Sequence, residues 1–494
     1  MKGRILSRLI LMSVLVLLGA QSTARAQTGF TLHTFAPASY APGLIKTNSD
    51  GIAPSGPLTW SSNRLYGAAQ GGGANGAGTL FSIQTNGTFS LLYAFPTWDP
   101  LAGNTFGAEP NGGLFAFSNL LYGTTLVGGG NNRGVIFSIT NNGTGIKVLH
   151  TFVDLVNTNN IGLFTNKDGA SPSAGLIMSG NKLFGTAEYG GTNGNGVIYS
   201  LTNTSPFNLT VLRHFTAGNY NTNINPPDGV ITNSDGANPT CRLLLLGTNL
   251  FGTTSAGGTN GYGTIFRIST NGSSFVVLHH FDTNGVNPYS GLSLSGGKLY
   301  GMSGDIIYSL ATDGSAFTIL HQFDDLVDSS ASPAGLMVTN GRIYGVIPYP
   351  GYYGNGQVFS LNTNGDNFTV FHDFSFYYSP YYLNYDGIGP NGGLTLANGA
   401  LYGVASSGGG GNINNGAIFQ AGPPPPFIDS QSIGTDLQLS FQTFDALSYT
   451  VQQSTNLADG VWINLTSLVG DDTVRQFTVP KTNPVSAFFR VRQP

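Results

Sequence analysis

A cassette made of an aliphatic residue, an aromatic residue and a glycine recurs seven times along this chain. The copies are Leu65-Tyr66-Gly67, Leu121-Tyr122-Gly123, Leu183-Phe184-Gly185, Leu250-Phe251-Gly252, Leu299-Tyr300-Gly301, Ile343-Tyr344-Gly345 and Leu401-Tyr402-Gly403. Self-similarity at a period of some tens of residues is the signature of a repeat architecture, in which stacked neighbours bury a continuous core. We therefore expect an array of similar units.

Three further marks accompany each cassette. A glycine followed by apolar residues comes after it, as in Gly78 to Phe81, and the aromatic of this mark lies 14 residues beyond the cassette glycine in five copies. A turn such as Asn271-Gly272 then precedes a segment such as Leu278 to Phe281, and Asn-Gly supplies the positive φ of tight hairpins. A pair such as Gly113-Leu114 precedes the cassette. The pattern therefore predicts four short strands in each unit, which we call a to d in chain order.

The two ends of the array are out of phase with each other. The chain begins with a lone strand d, Phe30 to Phe35, and the seventh copy stops after strand c at Phe419-Gln420. A closed ring explains this displacement, because the N-terminal strand can complete the last sheet and remove the free edges. The pattern predicts an all-β, seven-bladed β-propeller, and the alternative is an open solenoid with capping repeats.

Composition limits the classes of function. Charged residues are 9% of the chain, hydrophobic residues 40%, and the net charge is −4, with 19 Lys and Arg that form no basic stripe. These values disfavour a nucleic-acid partner. The glycine runs lack the Lys-Ser/Thr and the helix of a phosphate loop, and no catalytic or haem motif is present, so we expect no cofactor, no resident metal and no catalytic residue.

Residues 1–26 have the features of a signal peptide. Lys2, Arg4 and Arg8 precede an apolar stretch, and Ala24-Arg25-Ala26 fits a cleavage site before Gln27. We expect a protein secreted to the periplasm, cell surface or medium, with no membrane span and with a monomeric state. The lone cysteine, Cys241, is expected to be a buried small apolar residue.

The repeat pattern stops near residue 421. We expect the propeller to occupy residues 27–421, a stiff proline-rich linker residues 422–427, and a separate module residues 428–494. Alternating apolar residues around Leu437 to Phe441, Tyr449 to Val451, Val461 to Leu465 and Phe489 to Val491 predict a small β-sandwich of the fibronectin or immunoglobulin kind.

Together the ordered marks resemble the GloVer-type tandem repeats of exported bacterial proteins, often labelled choice-of-anchor proteins. The matching residues include Asp168 to Pro172, Asp235 to Pro239 and Asp386 to Pro390, beside the cassettes and the Leu-His-x-Phe strands. The C-terminal module resembles a domain common at the ends of exported proteins in the same bacteria. The resemblance implies export and surface use and assigns no catalytic residues. The second copy is interpreted as having Gly107-Ala108 in place of Asp-Gly.

Five of the seven histidines share one repeated position in strand d. They are His33, His150, His279, His321 and His372. Equivalent residues on successive outer strands lie too far apart to share a metal ion. We therefore expect a structural role, such as a hydrogen bond to a loop carbonyl or to the Asp of the next Asp-Gly turn. The repeated Asp50, Asp168, Asp235 and Asp386 are interpreted as turn residues in preference to calcium ligands.

Strand direction separates two faces of the predicted ring. The a-b and c-d turns are short, whereas the b-c and d-a loops are long and share the opposite end of the blades. Loops on a rigid scaffold carry function, so this long-loop face is the predicted binding face.

Aromatic residues concentrate in two loops of the long-loop face, after strands b and d of the sixth copy. The predicted ligand-binding residues are Tyr349, Tyr352, Tyr353, Tyr377, Tyr378, Tyr381 and Tyr382. Exposed aromatic platforms suit stacking on the sugar rings of a polysaccharide or contact with a cell-surface protein. The alternative is that these rings pack on each other to order a long loop.

Two functional classes remain open. A non-enzymatic binding module would present aromatic and amide groups, whereas a polysaccharide lyase or glycosidase would bring a non-repeated cluster of His, Arg, Tyr and carboxylates to the axis of the long-loop face. Asp324, Asp325 and Asp328 are the candidates for a catalytic carboxylate pair, although Asp-rich loops are usually solvated turns.

Overall fold

The computed structural model describes residues 30–40, 46–99, 101, 103–157, 164–220, 231–283, 285, 287–323, 335–339, 341–349, 354–375, 384, 386–398, 400–409, 415–421, 429–433, 436–442, 448–454, 463–469, 474–480 and 488–492. Within these ranges all regular secondary structure is β-strand.

The strands up to the end of the third blade are β1 (Phe30–Thr34), β2 (Ser39–Tyr40), β3 (Lys46–Thr47), β4 (Ile52–Ser61), β5 (Arg64–Gly71), β6 (Thr79–Ile83), β7 (Phe89–Ala94), β8 (Asn104–Pro110), β9 (Phe115–Phe117), β10 (Leu120–Gly129), β11 (Val135–Thr140), β12 (Lys147–Thr151), β13 (Val156–Asn157), β14 (Phe164–Thr165), β15 (Ile177–Ser179), β16 (Lys182–Ala187), β17 (Val197–Thr202) and β18 (Leu209–His214).

Blades four to seven contain β19 (Asn219–Tyr220), β20 (Ile231–Thr232), β21 (Leu244–Leu246), β22 (Asn249–Thr254), β23 (Thr264–Ser269), β24 (Phe275–His280), β25 (Ser293–Ser295), β26 (Lys298–Ser303), β27 (Ile306–Ala311), β28 (Thr318–Gln322), β29 (Met337–Thr339), β30 (Arg342–Ile347), β31 (Gln357–Asn362), β32 (Thr369–Asp373), β33 (Ile388–Ala397), β34 (Ala400–Ser407) and β35 (Ala417–Ala421). The C-terminal module contains β36 (Asp429–Ile433), β37 (Asp436–Gln442), β38 (Ser448–Ser454), β39 (Ile463–Val469), β40 (Val474–Pro480) and β41 (Phe488–Arg492).

Seven antiparallel sheets form the seven blades of a β-propeller, as the repeats predicted. Within each of the first six sheets the strands pair in chain order from a to d, and strand a of the second blade is divided into β8 and β9. Three short hairpins, β2-β3, β13-β14 and β19-β20, decorate the d-a connections. Length variation therefore falls on the long-loop face, as the sequence indicated.

The N-terminal strand closes the ring. The seventh sheet has the order β1-β35-β34-β33, so its outermost strand comes from the opposite end of the propeller sequence. Phe30 pairs with Gln420, Thr31 with Phe419 and Thr34 with Ala417, all antiparallel. This pairing confirms the predicted closure and leaves strand c of the seventh blade without a free edge.

The aliphatic and the aromatic residue of each cassette point to opposite faces of strand b, because successive side chains of a strand alternate between its faces. As a result, each interface between blades contains the aromatic of one cassette and the aliphatic residue of the next. Tyr66 shares a buried cluster with Leu121, and Tyr122 shares the following one with Leu183. The last interface joins Tyr402 to Leu65 of the first blade. Seven equivalent apolar clusters thus make a continuous circular core.

The cassette glycine makes room for the aromatic of strand c. Gly67 is paired directly opposite Phe81, and a Cβ at Gly67 would lie 2.5 Å from the tip of that ring. The same pairing occurs between Gly301 and Tyr308, although the loop that joins their strands is much shorter. The constant offset of 14 residues is therefore the length of an ordinary b-c loop between two paired positions.

A proline and a glycine lock neighbouring blades together. The glycine before strand c has positive φ and faces the proline of the next blade: a Cβ at Gly134 would lie 2.8 Å from Cδ of Pro172 and 2.2 Å from the Thr125 carbonyl oxygen. The residue before this proline is also left-handed, with φ 52° at Ser171, and its N–H donates to the Arg133 carbonyl at 3.0 Å. Sequence analysis missed this repeated bond between blades.

The position of the Asp-Gly turn inferred for the second copy, at Gly107-Ala108, is wrong by one residue. The Gly107 N–H donates to Asn104 as the Gly51 N–H donates to Asn48, so Gly107 occupies the place of Gly51. Phe106 therefore stands where the other turns have Asp, and the glycine of the turn is retained. The retained glycine matters because a Cβ at Gly107 would lie 2.2 Å from Oγ1 of Thr125.

The C-terminal module consists of two three-stranded antiparallel sheets, β36-β37-β40 and β39-β38-β41. Tyr449 and Val451 of β38 are buried, and Leu465, Leu468 and Phe477 pack against them. The strands at Leu437, Tyr449 and Phe489 lie where alternation placed them, while β36 and β40 were not anticipated. The domain boundaries and the sandwich arrangement remain predictions.

Removing residues 27–36 should expose the edge of β35 and weaken the seventh blade. We expect a lower melting temperature together with concentration-dependent association, because an unpaired strand edge is a template for pairing with another chain. Differential scanning calorimetry and light scattering measure the two effects. A truncation of residues 27–29 alone, which keeps β1, is the control. An unchanged melting temperature in the longer deletion would contradict a stabilising role for the closure.

Replacing Gly134 by Ala should destabilise the propeller by roughly 3 kcal/mol, since about 1–2 kcal/mol of left-handed strain adds to about 1–3 kcal/mol of overpacking. Gly145→Ala is the matched control, because Gly145 also has positive φ but a Cβ there would meet nothing within 4 Å. Chemical denaturation of both variants separates strain from packing between blades. Equal destabilisation of the two would show that the proline contact contributes nothing.

Candidate binding site at the propeller axis

The a strands of all seven blades enclose a cavity of about 1090 Å³. Its wall is the short stretch that follows the repeated proline in each blade. The wall residues include Gly56, Gly112, Gly175, Cys241, Ser290, Gly335 and Gly392. Because the blades are arranged in a ring, the cavity is the central channel of the propeller.

Glycine lets the a strands approach each other at this wall. A Cβ at Gly112 would lie 2.2 Å from the carbonyl carbon of Ala174 in the next blade, and a Cβ at Gly392 would lie 2.2 Å from that of Gly56. Backbone therefore forms much of the channel wall. The side chains that line the channel between these backbone segments decide what it can bind.

Tyrosines and one carboxylate gather at the long-loop mouth of the channel. Tyr289 and Glu188 line it from the fifth and third blades, and Tyr349 lines it from the sixth. Tyr189, next to Glu188, is 46% exposed, and Tyr349 is 50% exposed. The ring of Tyr349 lies beside Gly389, whose Cβ, if present, would be 3.9 Å from the tyrosine hydroxyl. These residues form what we call the axial tyrosine site: Glu188, Tyr189, Tyr289 and Tyr349.

The electrostatics of the axial tyrosine site follow from one buried charge. Burial raises the pKa of Glu188, although the hydrogen bond from the Tyr189 hydroxyl opposes this shift. Burial, then the hydrogen bond and the charge of Glu188, raise the pKa of Tyr189. The pKa of Tyr289 is raised by burial and then by the Glu188 charge. Both phenols thus stay protonated at neutral pH and can donate hydrogen bonds.

Only part of the predicted aromatic site can be compared with the structure. Tyr349 lies at the channel mouth, on the face where it was expected. Tyr352, Tyr353, Tyr377, Tyr378, Tyr381 and Tyr382 fall outside the described residues, as do Asp324, Asp325 and Asp328.

Sequence reasoning missed Tyr189, Tyr289 and Glu188. A signal for Tyr289 existed, because the equivalent places in other blades hold small polar residues such as Ser55, Ser173 and Thr240. A residue that departs from its repeat at the axis is a candidate for function. The signal for Glu188 was the rarity of its residue type, because the chain contains only two glutamates, Glu109 and Glu188.

The repeated histidines have the structural role that we expected from the sequence. His33 lies 3.0 Å from Asp50, His150 lies 2.9 Å from Asp168, and Arg213 takes the histidine place beside Asp235. Where the next turn lacks the Asp, His279 stacks on Phe317 with ring centroids 3.8 Å apart. Among the described residues, no three or more His, Cys, Asp or Glu side chains are grouped to hold a metal ion.

An asparagine two residues before each of these aspartates completes the turn. Asn48 accepts the Gly51 and Gly73 N–H groups at 2.8 and 2.9 Å, and its amide donates to the Ala36 carbonyl at 2.9 Å. Asn166 and Asn233 make the same contacts in later blades. The Asp and Asn residues therefore hold the long loops in place.

Cys241 is buried in strand a of the fourth blade, and its thiol contacts the backbone of Thr253. This agrees with the small apolar role predicted for it. No helix of the described chain has the length and apolar character needed to cross a membrane.

Residues 17–162 match the Gloeobacter/Verrucomicrobia repeat. This match confirms the resemblance expected from the ordered marks, and it spans β1 and the first two blades. A search among curated proteins gave no match.

Among solved structures, an oligogalacturonate lyase from Vibrio parahaemolyticus is 11% identical, with 80% of this chain and 98% of that chain covered and a TM-score of 0.45. A chain of a nidogen/laminin complex is 14% identical, with 60% and 90% covered and a TM-score of 0.36. A luciferin-regenerating enzyme is also 14% identical, with 65% and 93% covered and a TM-score of 0.33. These proteins include enzymes and a binding protein, and no activity is transferred from them.

Replacing Glu188 by Gln should raise stability at neutral pH. The pKa of Glu188 in the folded protein lies above its ordinary value, so the folded state holds the proton more tightly than the unfolded state does. The ionised carboxylate therefore lowers the free energy of unfolding, and this loss develops as pH rises through the raised pKa. The variant should therefore melt higher than the parent at pH 7, and the difference should vanish below the ordinary pKa of about 4.3. Glu109→Gln, at the other glutamate, is the control for melting curves recorded across pH.

Proposed function

We propose that this chain is an exported, non-enzymatic binding protein whose axial tyrosine site takes a saccharide unit of a polysaccharide. The observation that carries the proposal is that Tyr189 of the third blade and Tyr289 of the fifth lie beside the Glu188 carboxylate, while Tyr349 of the sixth blade lines the same channel. None of these residues belongs to the marks that build the ring, so packing between blades does not account for their position.

The chemistry of the site suits a neutral sugar ring. Half-exposed phenol rings such as Tyr189 and Tyr349 offer flat apolar faces, and their hydroxyls offer hydrogen bonds. The Glu188 carboxylate can accept hydrogen bonds from sugar hydroxyls, which are stronger than bonds between neutral groups. Backbone walls hold these groups in place, so little ordering would be needed on binding.

The tyrosines predicted after strands b and d of the sixth copy extend this proposal. Tyr352 and Tyr353 follow Tyr349 in the sequence by three and four residues. Tyr377, Tyr378, Tyr381 and Tyr382 belong to the loop that leads into the seventh blade. We propose that they lengthen the binding surface outward from the axis.

Export fits this function. Cleavage before Gln27 would release the mature propeller, as a monomer, to a compartment where polysaccharides and cell-surface proteins occur. The low content of charged residues, 9%, also favours recognition through aromatic and neutral polar groups.

The second candidate function is a polysaccharide-cleaving enzyme, and the raised pKa of Glu188 favours it. A glycosidase, however, uses two carboxylates on either side of the scissile bond. Among the described residues that line the channel, Glu188 is the sole carboxylate. Because the pKa values of Tyr189 and Tyr289 are raised, neither phenol is suited to act as a base for a lyase. Binding is therefore the better-supported function.

The test is a glycan array on the protein from Gln27 onward, followed by isothermal titration with each sugar that binds. We expect Tyr349→Ala and Tyr189→Ala each to weaken binding about fivefold or more, equivalent to about 1 kcal/mol per lost stacking contact, with the melting temperature nearly unchanged. Phe117→Ala is the control, because Phe117 is 53% exposed but lies at the short-turn end of the second blade.

Three outcomes would contradict the proposal. Equal loss in the Phe117→Ala control would mean that the contact is not at the axis. Shortening of the bound polysaccharide that Glu188→Gln abolishes would establish the enzyme instead. Capture of a cell-surface protein through the same tyrosines, with no glycan bound, would replace the saccharide by a protein partner.

A further inference from the structure

One position of strand a differs in chemical character between the blades. It is the residue before the leucine of that strand. Five blades have glycine there, at Gly113, Gly175, Gly291, Gly335 and Gly393, while the first blade has Pro57. The fourth blade has Arg242. The fold therefore does not require a side chain at this place.

Arg242 lies inside the channel. It lines the central cavity, and its Cδ would be 3.6 Å from a Cβ at Gly175 in the third blade. Its guanidinium carbon is 6.0 Å from the centroid of the Phe115 ring, which belongs to the second blade. The side chain thus extends from the fourth blade past the third toward the second, through space that the glycine at residue 175 leaves open.

Nothing described in the structure neutralises this guanidinium. No hydrogen bond or ion pair joins Arg242 to a described residue, and Glu188, at the other mouth, makes no ion pair with it. The Phe115 ring is near enough for a weak cation-π contact, but such a contact satisfies none of the five N–H donors. Partial desolvation by the channel walls lowers the pKa of Arg242 but leaves it charged, and the side chain stays exposed to solvent in the channel.

Apolar side chains surround the channel on the short-turn side of Arg242. Phe115, Met178, Leu245, Leu294 and Val338 line it, each one or two residues beyond the leucine of its own strand a. A small, strongly hydrated anion would leave these side chains in contact with water. A carboxylate attached to an apolar body would bury them and pair with the guanidinium.

We propose that the short-turn end of the channel binds an organic carboxylate, with the two oxygens held by Arg242 and the apolar body packed against the five side chains around it. Carboxylate and guanidinium are both planar and form two parallel hydrogen bonds. The guanidinium is exposed to the channel and has no ion-pair partner among the described residues, so an anionic ligand can reach it and pair with it. This site is separate from the axial tyrosine site and does not depend on saccharide binding.

The probe for the test is sodium benzoate, with sodium acetate and sodium sulfate as comparison anions at constant ionic strength. Isothermal titration and saturation-transfer NMR report binding to the whole mature protein. We expect saturable binding of benzoate, with acetate weaker because it lacks the ring. Arg242→Gly should weaken benzoate binding about tenfold or more, and Arg242→Lys should give an intermediate loss because the ammonium cannot form the paired contact.

Lys182→Gln is the matched control, since it removes the same charge from an exposed place at the start of β16 outside the channel. Its affinity for benzoate should stay within about twofold of the parent, because exposed charges are screened by salt. If Arg242→Gly lowers the melting temperature, Arg242→Gln supplies a variant with a longer side chain and should show the same loss of binding.

Two results would overturn the proposal. Benzoate binding that is equal in the parent, Arg242→Gly and Arg242→Gln would place the anion elsewhere. Sulfate that binds more tightly than benzoate, with the same dependence on Arg242, would show an inorganic oxyanion site and exclude the apolar carboxylate.

Discussion

The contact between a strand b aromatic and the strand b aliphatic residue of the next blade is the interaction on which the ring depends. Each blade is one sheet with two apolar faces, and it can bury them only against two neighbours. Fully burying a side chain of this size contributes about 1.5–3 kcal/mol, and each blade contributes one such side chain to each of its interfaces. Because Tyr402 meets Leu65 as Tyr66 meets Leu121, no interface is left exposed.

The main role of glycine in this protein is to let strands approach each other closely, and flexibility matters less. The chain has 72 glycines, and many of them stand where a neighbouring strand or blade leaves no room for a Cβ, such as Gly67 against Phe81 in its own blade and Gly134 against Pro172 of the next. In the six blades where this part is described, the left-handed residue before the proline ties its blade to the preceding one by a backbone hydrogen bond. Since these contacts involve backbone, the shape of the channel is fixed before any ligand arrives.

Repeated and unrepeated residues have different roles in the molecule. The repeated ones, including the cassettes, the His and Asp pairs and the prolines, hold blades and loops in place. The unrepeated ones gather at the axis, because every strand a contributes to the same wall there. Glu188 and the tyrosines lie at one end and Arg242 at the other, so the channel has an acidic aromatic mouth and a cationic apolar one. A ring of equivalent blades thus encloses an asymmetric channel.

The number of blades, the order of their strands and the closure by Phe30–Thr34 could be predicted from the sequence, because they follow from local periodicity and from the phase of the two chain ends. The sequence also indicated a structural hydrogen bond from the repeated histidines, with the Asp of the next turn as one acceptor, and His33 does lie beside Asp50. It did not place Glu188 beside Tyr289, which are about a hundred residues apart and belong to different blades. That contact and the position of Arg242 in the channel depend on the folded ring, because a repeat pattern fixes each blade while the curvature of the ring sets which side chains meet at its axis.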